Sequence, residues 1–323
     1  MPTTTITFGE VAENGPNMQQ LGSKAAAGFS LNDLETAKVR FESFGCRCEL
    51  VNLVEMSGIS GTHELPPAYI LIIRNGTEAL CADKPPLADK PPLADKHVGA
   101  PQPALQVAEQ KGEHFPAPTV EDALANLASD DPDFAADLLH ALTSEKKTST
   151  RAADGLLCEQ SQLTPDKKAM FYGEVKNKLA RWNLTFGDTA QEPDYGAGKG
   201  RVVPFAELPK LAKVRDQLSN FLGSKAHKLL AEMNLYYNKQ CGIGWHGDGE
   251  RKLVFAIRLG DSMSLVYQWF LRSKAIGAIM RFELKHGDCY VMSEKAVGTD
   301  WKLSSIPTLR HAAGASKYTN PKN

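Results

Sequence analysis

The chain has 323 residues, 42% of them hydrophobic, enough for one large domain or two modest ones, which excludes a disordered tail or a mini-protein. Its longest apolar run, around Tyr69 to Ile73, is far too short to span a bilayer, and Met1-Pro2-Thr3-Thr4-Thr5 has neither region of a secretory signal, so no membrane partner is expected. The net charge of -1 hides an asymmetry: residues 1–154 carry 12 Lys+Arg against 22 Asp+Glu, a balance of -10, and residues 155–323 carry 25 against 16, a balance of +9.

That asymmetry points the second half toward an anionic partner, or toward the acidic first half. Six cysteines with no CxxC pair fit reduced thiols in a cytoplasmic or nuclear compartment better than a disulfide framework or a zinc ribbon.

In chain order, Ser30-Leu31-Asn32-Asp33 offers an N-cap before an amphipathic helix to about Ser43, and Cys48–Val54 and Ala68–Arg74 read as strands. Residues 1–80 are therefore expected to form a small α/β region. The hexamer Ala82-Asp83-Lys84-Pro85-Pro86-Leu87 repeats from Ala88, and its paired prolines predict an extended linker. Residues 119–144 read as two acidic helices broken at Asp130-Asp131-Pro132-Asp133, and a polar, mobile stretch is expected from Ser144 to Asp154. A linker segment over 81–154 and a second domain over 155–323 follow.

Thr164-Pro165-Asp166 predicts a helix start, with a basic face from Lys167, Lys168, Lys176, Lys178 and Arg181. The glycine-rich stretch Asp194–Gly200 lacks the strand-before, helix-after context of a phosphate loop. From Leu229 the pattern changes to short strands: Ala231–Tyr237, Gly244–Asp248, Leu253–Leu259, Ser264–Trp269, Met280–Leu284, Cys289–Met292 and Thr308–His311. Such spacing predicts an antiparallel sandwich or jelly roll.

His246-Gly247-Asp248 is the leading metal-site candidate, because residues i and i+2 of a strand share a face and bring an imidazole and a carboxylate to one centre. His311, on the last predicted strand, supplies a third ligand if the sheet curls, completing a two-His-one-carboxylate set for Fe(II). The rival, His286-Gly287-Asp288, reads as a chain-reversing turn.

Asn234-Leu235-Tyr236, His246-Gly247-Asp248, Arg258-Leu259-Gly260, Tyr267-Gln268-Trp269-Phe270, His286 to Met292 and Leu309-Arg310-His311 together resemble the AlkB-like family of iron(II)- and 2-oxoglutarate-dependent dioxygenases. The resemblance covers about residues 229–318. It implies an α+β protein with a double-stranded β-helix (jelly roll) core, flanking helices, and Fe(II), 2-oxoglutarate and O₂ as cofactors. It places iron on His246, Asp248 and His311, and 2-oxoglutarate against Asn234 and Tyr236.

The family's arginine for the far carboxylate of 2-oxoglutarate lies beyond the twelve residues that follow His311 here. Arg258 is the best substitute: it is the one charge in the apolar run Leu253–Leu259 and shares a face with Val254 and Ala256. A guanidinium buried there needs a partner, which is either an internal carboxylate or the cosubstrate. Lys317 and then Arg310 are the next candidates. The loop Ser293–Lys302 suits a substrate lid or a structural tether, and Trp245, Trp269 and Phe270 read as core.

The resemblance implies hydroxylation or oxidative demethylation, and the basic second half is compatible with a nucleic-acid substrate. Two alternatives stand beside it: a hydroxylase of a protein side chain or small metabolite, and a metal-binding interaction protein with a degenerate site.

Overall fold

The computed structural model describes residues 2–15, 18–59, 64–82 and 151–320. The β-branched run Thr3–Gly9 forms strand β1, followed by a small hairpin of β2 (Val11–Glu13) and β3 (Gln20–Gly22). Helix α1 (Leu31–Ser43) opens with a capping box in which Ser30 and Asp33 satisfy each other's backbone N–H groups. It buries Leu34, Ala37 and Phe41, the spacing of one helical face.

Strand β4 (Arg47–Asn52), the single turn α2 (Leu53–Met56), β5 (Tyr69–Arg74) and α3 (Gly76–Cys81) complete the first part. After residue 150 come α4 (Arg151–Ser161), β6 (Lys168–Phe171), β7 (Glu174–Asn177), β8 (Trp182–Gly187), β9 (Val202–Pro204) and α5 (Pro209–Leu222). The last part holds β10 (Leu230–Tyr236), β11 (Gly242–His246), β12 (Val254–Gly260), β13 (Met263–Leu271), β14 (Lys274–Leu284), β15 (Cys289–Met292), α6 (Glu294–Val297), β16 (Thr308–Gly314) and α7 (Ser316–Thr319).

Two sheets dominate. The larger runs β4-β5-β15-β12-β1-β10-β8-β9 and is antiparallel except for its edge pair β8–β9, and the smaller runs β11-β16-β13-β14. The protein is thus α+β and strand-dominated, as expected.

Period-two alternation gives the larger sheet two apolar faces. Phe255, Ile257 and Leu259 of β12 and Leu71 and Ile73 of β5 pack with Phe41 of α1 and Leu218 and Phe221 of α5. The Phe41 and Phe221 rings stack at 4.3 Å. The alternate residues Val254 and Ala256, with Ile70 and Ile72, join Tyr267, Trp269 and Leu309 of the smaller sheet. Each such side chain, fully buried, contributes about 1.5–3 kcal/mol, and the second layer holds the two sheets against each other.

Four expectations are corrected. Residues 1–80 are not a separate α/β region, because β1 lies between β12 and β10 and β5 pairs with β15. All described residues belong to one compact unit, so the boundary at 154 divides nothing there, and the two charge-biased halves share one sheet. The repeat linker and the acidic helices lie outside the described residues, while the end of the stretch expected to be mobile, from Arg151, opens α4.

The basic helix expected after Thr164 is a β-hairpin. Tyr172 and Gly173 both have positive φ, 50° and 82°, the two-residue turn that matches strand twist. Thr164 therefore caps no helix, and the buried carboxylate of Asp166 accepts from Asn14 Nδ2, Tyr195 Oη and the Arg201 amide.

Candidate metal centre

Strand β11 pairs with β16 so that His246 lies directly opposite His311, with a register irregularity between Ile243 and His246. Asp248 follows just past the strand, where its amide donates to the Val297 carbonyl at 2.9 Å. The His246 and His311 Nε2 atoms lie 3.6 and 3.5 Å from Asp248 Oδ1. All three ligand atoms fall within 4.8 Å of one another. Ligands cis to each other about 2.1 Å from one ion sit about 3 Å apart, so a small closure would seat a metal.

The protonation pattern suits that task. His246 Nδ1 faces the carbonyls of Gly244 (2.8 Å) and His311 (3.1 Å). Carbonyls only accept, so Nδ1 carries the hydrogen and Nε2 presents a lone pair to Asp248. Burial, helped by His311, pushes His246 down to about 3 and keeps it neutral. Burial of Asp248 opposes ionisation, but the His311 hydrogen bond and the Arg251 guanidinium prevail and hold its carboxyl well below the usual carboxylate range.

Arg251, 2% exposed, is the brace behind Asp248. It meets Glu232 at 2.8 Å, Glu250 at 2.9 Å and Asp248 at 3.5 Å. Nothing in the sequence reading assigned it a role. The signal was a guanidinium three residues after the ligand carboxylate.

The three ligands open onto a cavity of about 960 Å³ between the sheets. Asn234, Tyr236 and Arg258 all line it, so the structure brings the proposed cosubstrate residues to the metal site. Arg258 is 1% exposed and donates through Nη1 to Thr5 Oγ1 at 2.6 Å. Its Nε is buried without a partner, and among the described residues no carboxylate forms an ion pair with it. Burial lowers its pKa, against the pull of Tyr290, Tyr236 and more distant acids.

Asn234 is held by donors that fix its orientation. Its Oδ1 accepts from Arg181 Nε at 2.5 Å and Asn183 Nδ2 at 2.8 Å. Asn183 is turned the same way because its own Oδ1 accepts from Lys178 Nζ at 3.0 Å. An ammonium and a guanidinium can only donate, so Asn234 presents its Nδ2 as the donor, one hydrogen of which goes to Glu232 Oε1 at 3.4 Å.

The remaining candidates fall elsewhere. Lys317, on α7, borders a separate pocket with Trp245 and Tyr318 and does not line the main cavity. Arg310 lies over the Phe270 ring at 4.3 Å. His286 accepts the Gly260 amide at Nδ1, and Asp288 accepts from Asn75, Lys285 and Arg74, which makes that second His-x-Asp a tied turn. Trp269 is core, donating to the Leu53 carbonyl, while Trp245 lines the cavity. From the loop expected as a lid or tether, Thr299, Trp301 and Lys302 line the cavity, and Lys295 ties it internally to Asp300 and the Pro307 carbonyl.

No protein-family model matches the chain. An uncharacterized protein of Acanthamoeba polyphaga mimivirus is 36% identical over 320 residues, which span 98% of this chain and 97% of the viral protein. The chain belongs to the same family as that viral protein. Among the described residues no helix is long and apolar enough to cross a membrane, and all six cysteines are free.

Proposed function

We propose that this protein is an Fe(II)- and 2-oxoglutarate-dependent dioxygenase of AlkB-like type, whose two sheets, antiparallel but for one edge pair, are the halves of a double-stranded β-helix. One observation carries the reading: a His-Asp-His set and a fully buried guanidinium without a carboxylate line the same cavity. The donor set, two imidazoles and one carboxylate, suits Fe(II) and leaves open positions for ligands.

When bound, the iron and 2-oxoglutarate supply oxidation of a C–H bond by O₂, with loss of CO₂ from the cosubstrate. The chain's own residues do the rest. His246, Asp248 and His311 hold the metal, with the His246 tautomer fixed by Gly244 and Asp248 kept ionised by Arg251. Arg258 binds the far carboxylate of the cosubstrate, where a bidentate partner compensates its burial. Asn234 donates from Nδ2, and the buried Tyr236 presents a neutral hydroxyl. The sheet layers and Thr299, Trp301 and Lys302 of the loop after α6 line the cavity around the reacting centre.

The product is a hydroxylated or demethylated substrate. A nucleic-acid substrate loses the support of a basic helix, since that segment is a hairpin. A protein side chain or small metabolite gains support, because Glu13, Glu232 and Glu250 line the cavity with Arg251 and favour a substrate group that donates hydrogen bonds.

Anaerobic titration of the apo-protein with Fe(II) and 2-oxoglutarate tests the reading. The expected result is a weak visible charge-transfer band that is lost in His246→Ala and Asp248→Ala. Iron binding without the band would exclude 2-oxoglutarate as cosubstrate. Salt-dependent retention on single-stranded nucleic acid would bring the nucleic-acid substrate back ahead.

A further inference from the structure

The positive balance of residues 155–323 is not spread evenly. Residues 262–282 and 301–320 hold six Lys+Arg and no Asp or Glu, and they build β13, most of β14, the loop before β16, β16 itself and α7. On β16 His311 turns into the cavity, so its neighbour Arg310 turns to the other face of the smaller sheet. There the Arg310 guanidinium lies 4.3 Å from the centre of the Phe270 ring and 5.5 Å from that of Trp301, with the Trp245 ring 5.8 Å from Phe270. Lys302 Nζ lies 5.6 Å from the same Trp301 ring. The turn of the β13–β14 hairpin joins this face, because the Arg272 amide donates to the Ser304 carbonyl at 3.0 Å and brings Lys274 with it.

These cations lack acids. Among the described residues Arg272, Lys274, Lys302 and Arg310 form no ion pair, and Asp300, the acid nearest in sequence, is committed to Lys295 at 2.6 Å. Arg310 Nε is buried without a partner, and burial alone lowers its pKa, with no carboxylate to offset it. Ring contacts hold a guanidinium by its faces and leave its edge N–H groups for a planar anion. In the same loop Leu303 is 53% and Ile306 40% exposed, so two aliphatic side chains stand among the cations. A polypeptide offers both carboxylates and aliphatic side chains, whereas a phosphodiester backbone has no aliphatic side chain to pack there. Trp301 and Lys302 also line the cavity, whose wall carries Glu13, Glu232 and Glu250. From outside toward the metal ligands the charge is therefore basic and then acidic. A polyanion charged at every unit is repelled by the second zone, while a segment whose acidic residues flank one hydrogen-bond-donating side chain suits both.

We propose that the face formed by the loop before β16, Arg310 and the β13–β14 turn is a docking site for an acidic polypeptide segment. Arg310 and Lys302 hold its carboxylates, Leu303 and Ile306 pack on an apolar side chain, and a neighbouring donor-bearing residue enters the cavity past Trp301. The proposal rests on the dioxygenase reading for what happens inside the cavity, and adds to it a substrate class, a protein rather than a small metabolite.

Binding is measured on the metal-free full chain, by fluorescence anisotropy of a labelled peptide with a central lysine, glutamates on both sides and one leucine. A peptide with lysines in place of the glutamates is the control. The acidic peptide should bind at least about tenfold tighter than the control and lose that preference at high salt. Lys302→Glu and Arg310→Glu should each weaken it about tenfold, and Leu303→Ser, at an exposed position, about threefold. Lys168→Glu, exposed on hairpin β6–β7, should change nothing. Melting temperatures equal to that of the wild type establish that the variants are folded.

Equal binding of the two peptides, or full binding by both Lys302→Glu and Arg310→Glu, would overturn the proposal. So would a single-stranded RNA, or vesicles rich in phosphatidylserine, that bound tighter than the acidic peptide and lost affinity in the same two variants, which would make the face a nucleic-acid or lipid surface. Succinate formation by protein loaded with Fe(II) and 2-oxoglutarate in air is measured in parallel. Peptide binding by a protein that forms no succinate, with or without the peptide, would overturn the dioxygenase reading and leave a docking face. Succinate formation by a protein that does not bind the peptide would overturn the docking site alone.

Discussion

At the scale of single residues, burying charge behind the candidate metal ligands is costly. Arg251 and Glu232 are almost wholly buried, and such a pair is held together only while each partner remains. Arg251→Met should destabilise the apo-protein by about 3–5 kcal/mol in a urea titration, because Glu232 and Glu250 lose their shared cation. Metal affinity should fall about ten- to a hundredfold as Asp248 loses its brace. Lys178 makes a prediction of the opposite kind. Burial pushes its amine down from 10.5 to about 8, although three acceptors, the Asn14 carbonyl, Asn14 Oδ1 and Asn183 Oδ1, surround its Nζ. Between about pH 8 and 10.5 the unfolded chain binds the extra proton, so stability should rise with pH across that window. In Lys178→Met that rise should disappear, which chemical denaturation at several pH values would show.

At the scale of elements, the turn between β11 and β12 is locked to the segment after α6. A Cβ on Gly247 would lie 2.1 Å from the Gly298 carbonyl oxygen, and Gly298 itself sits at φ 76°. The two glycines allow the ligand-bearing turn and the loop with Trp301 to touch backbone to backbone. Gly247→Ala must push them apart and move Asp248, whose amide is bound to Val297. The expected outcome is a folded protein with at least about a tenfold loss of iron affinity, measured by competition with a chelator. The same scale shows where reading the sequence succeeds. Helix α1 was legible because its cap and its buried face are local, and β5 and β15 because they are short apolar runs with turn residues beside them. The hairpin β6–β7 was misread as a helix: Pro165 mimics a helix start, while the turn at Tyr172-Gly173 depends on an aromatic residue accepting positive φ.

At the scale of the whole molecule, His246, Asp248 and His311 were legible because an ordered set of motifs carries them. Arg258 was legible because a lone charge in an apolar strand stands out. Thr5, Asn183 and Arg181 were not, since their importance exists only once strands distant in sequence lie in register. The β-branched composition of residues 3–7 was the available sign of β1, but nothing local says which strands it separates. The described residues stop at Ala82 and resume at Arg151, and close beside that point the Ala152 amide donates to Glu78 Oε1 at 3.2 Å and α3 packs on α4. Replacing residues 83–149 by a short Gly/Ser linker should therefore leave the melting temperature within about 5 °C and iron binding unchanged. Thermal melts and iron titration of that variant would check both.

The position of β1 has a further consequence, for the order in which the protein is made. Strand β1 pairs on both sides with strands from residues 230–236 and 254–260, so its two ladders must wait for segments that are synthesised long after it. Until then the alternating Thr, Ile and Phe residues form an unpaired strand open to wrong partners. Closing contacts so far apart in sequence is also slow, and the candidate metal site cannot be completed before β16, which carries His311, has been made.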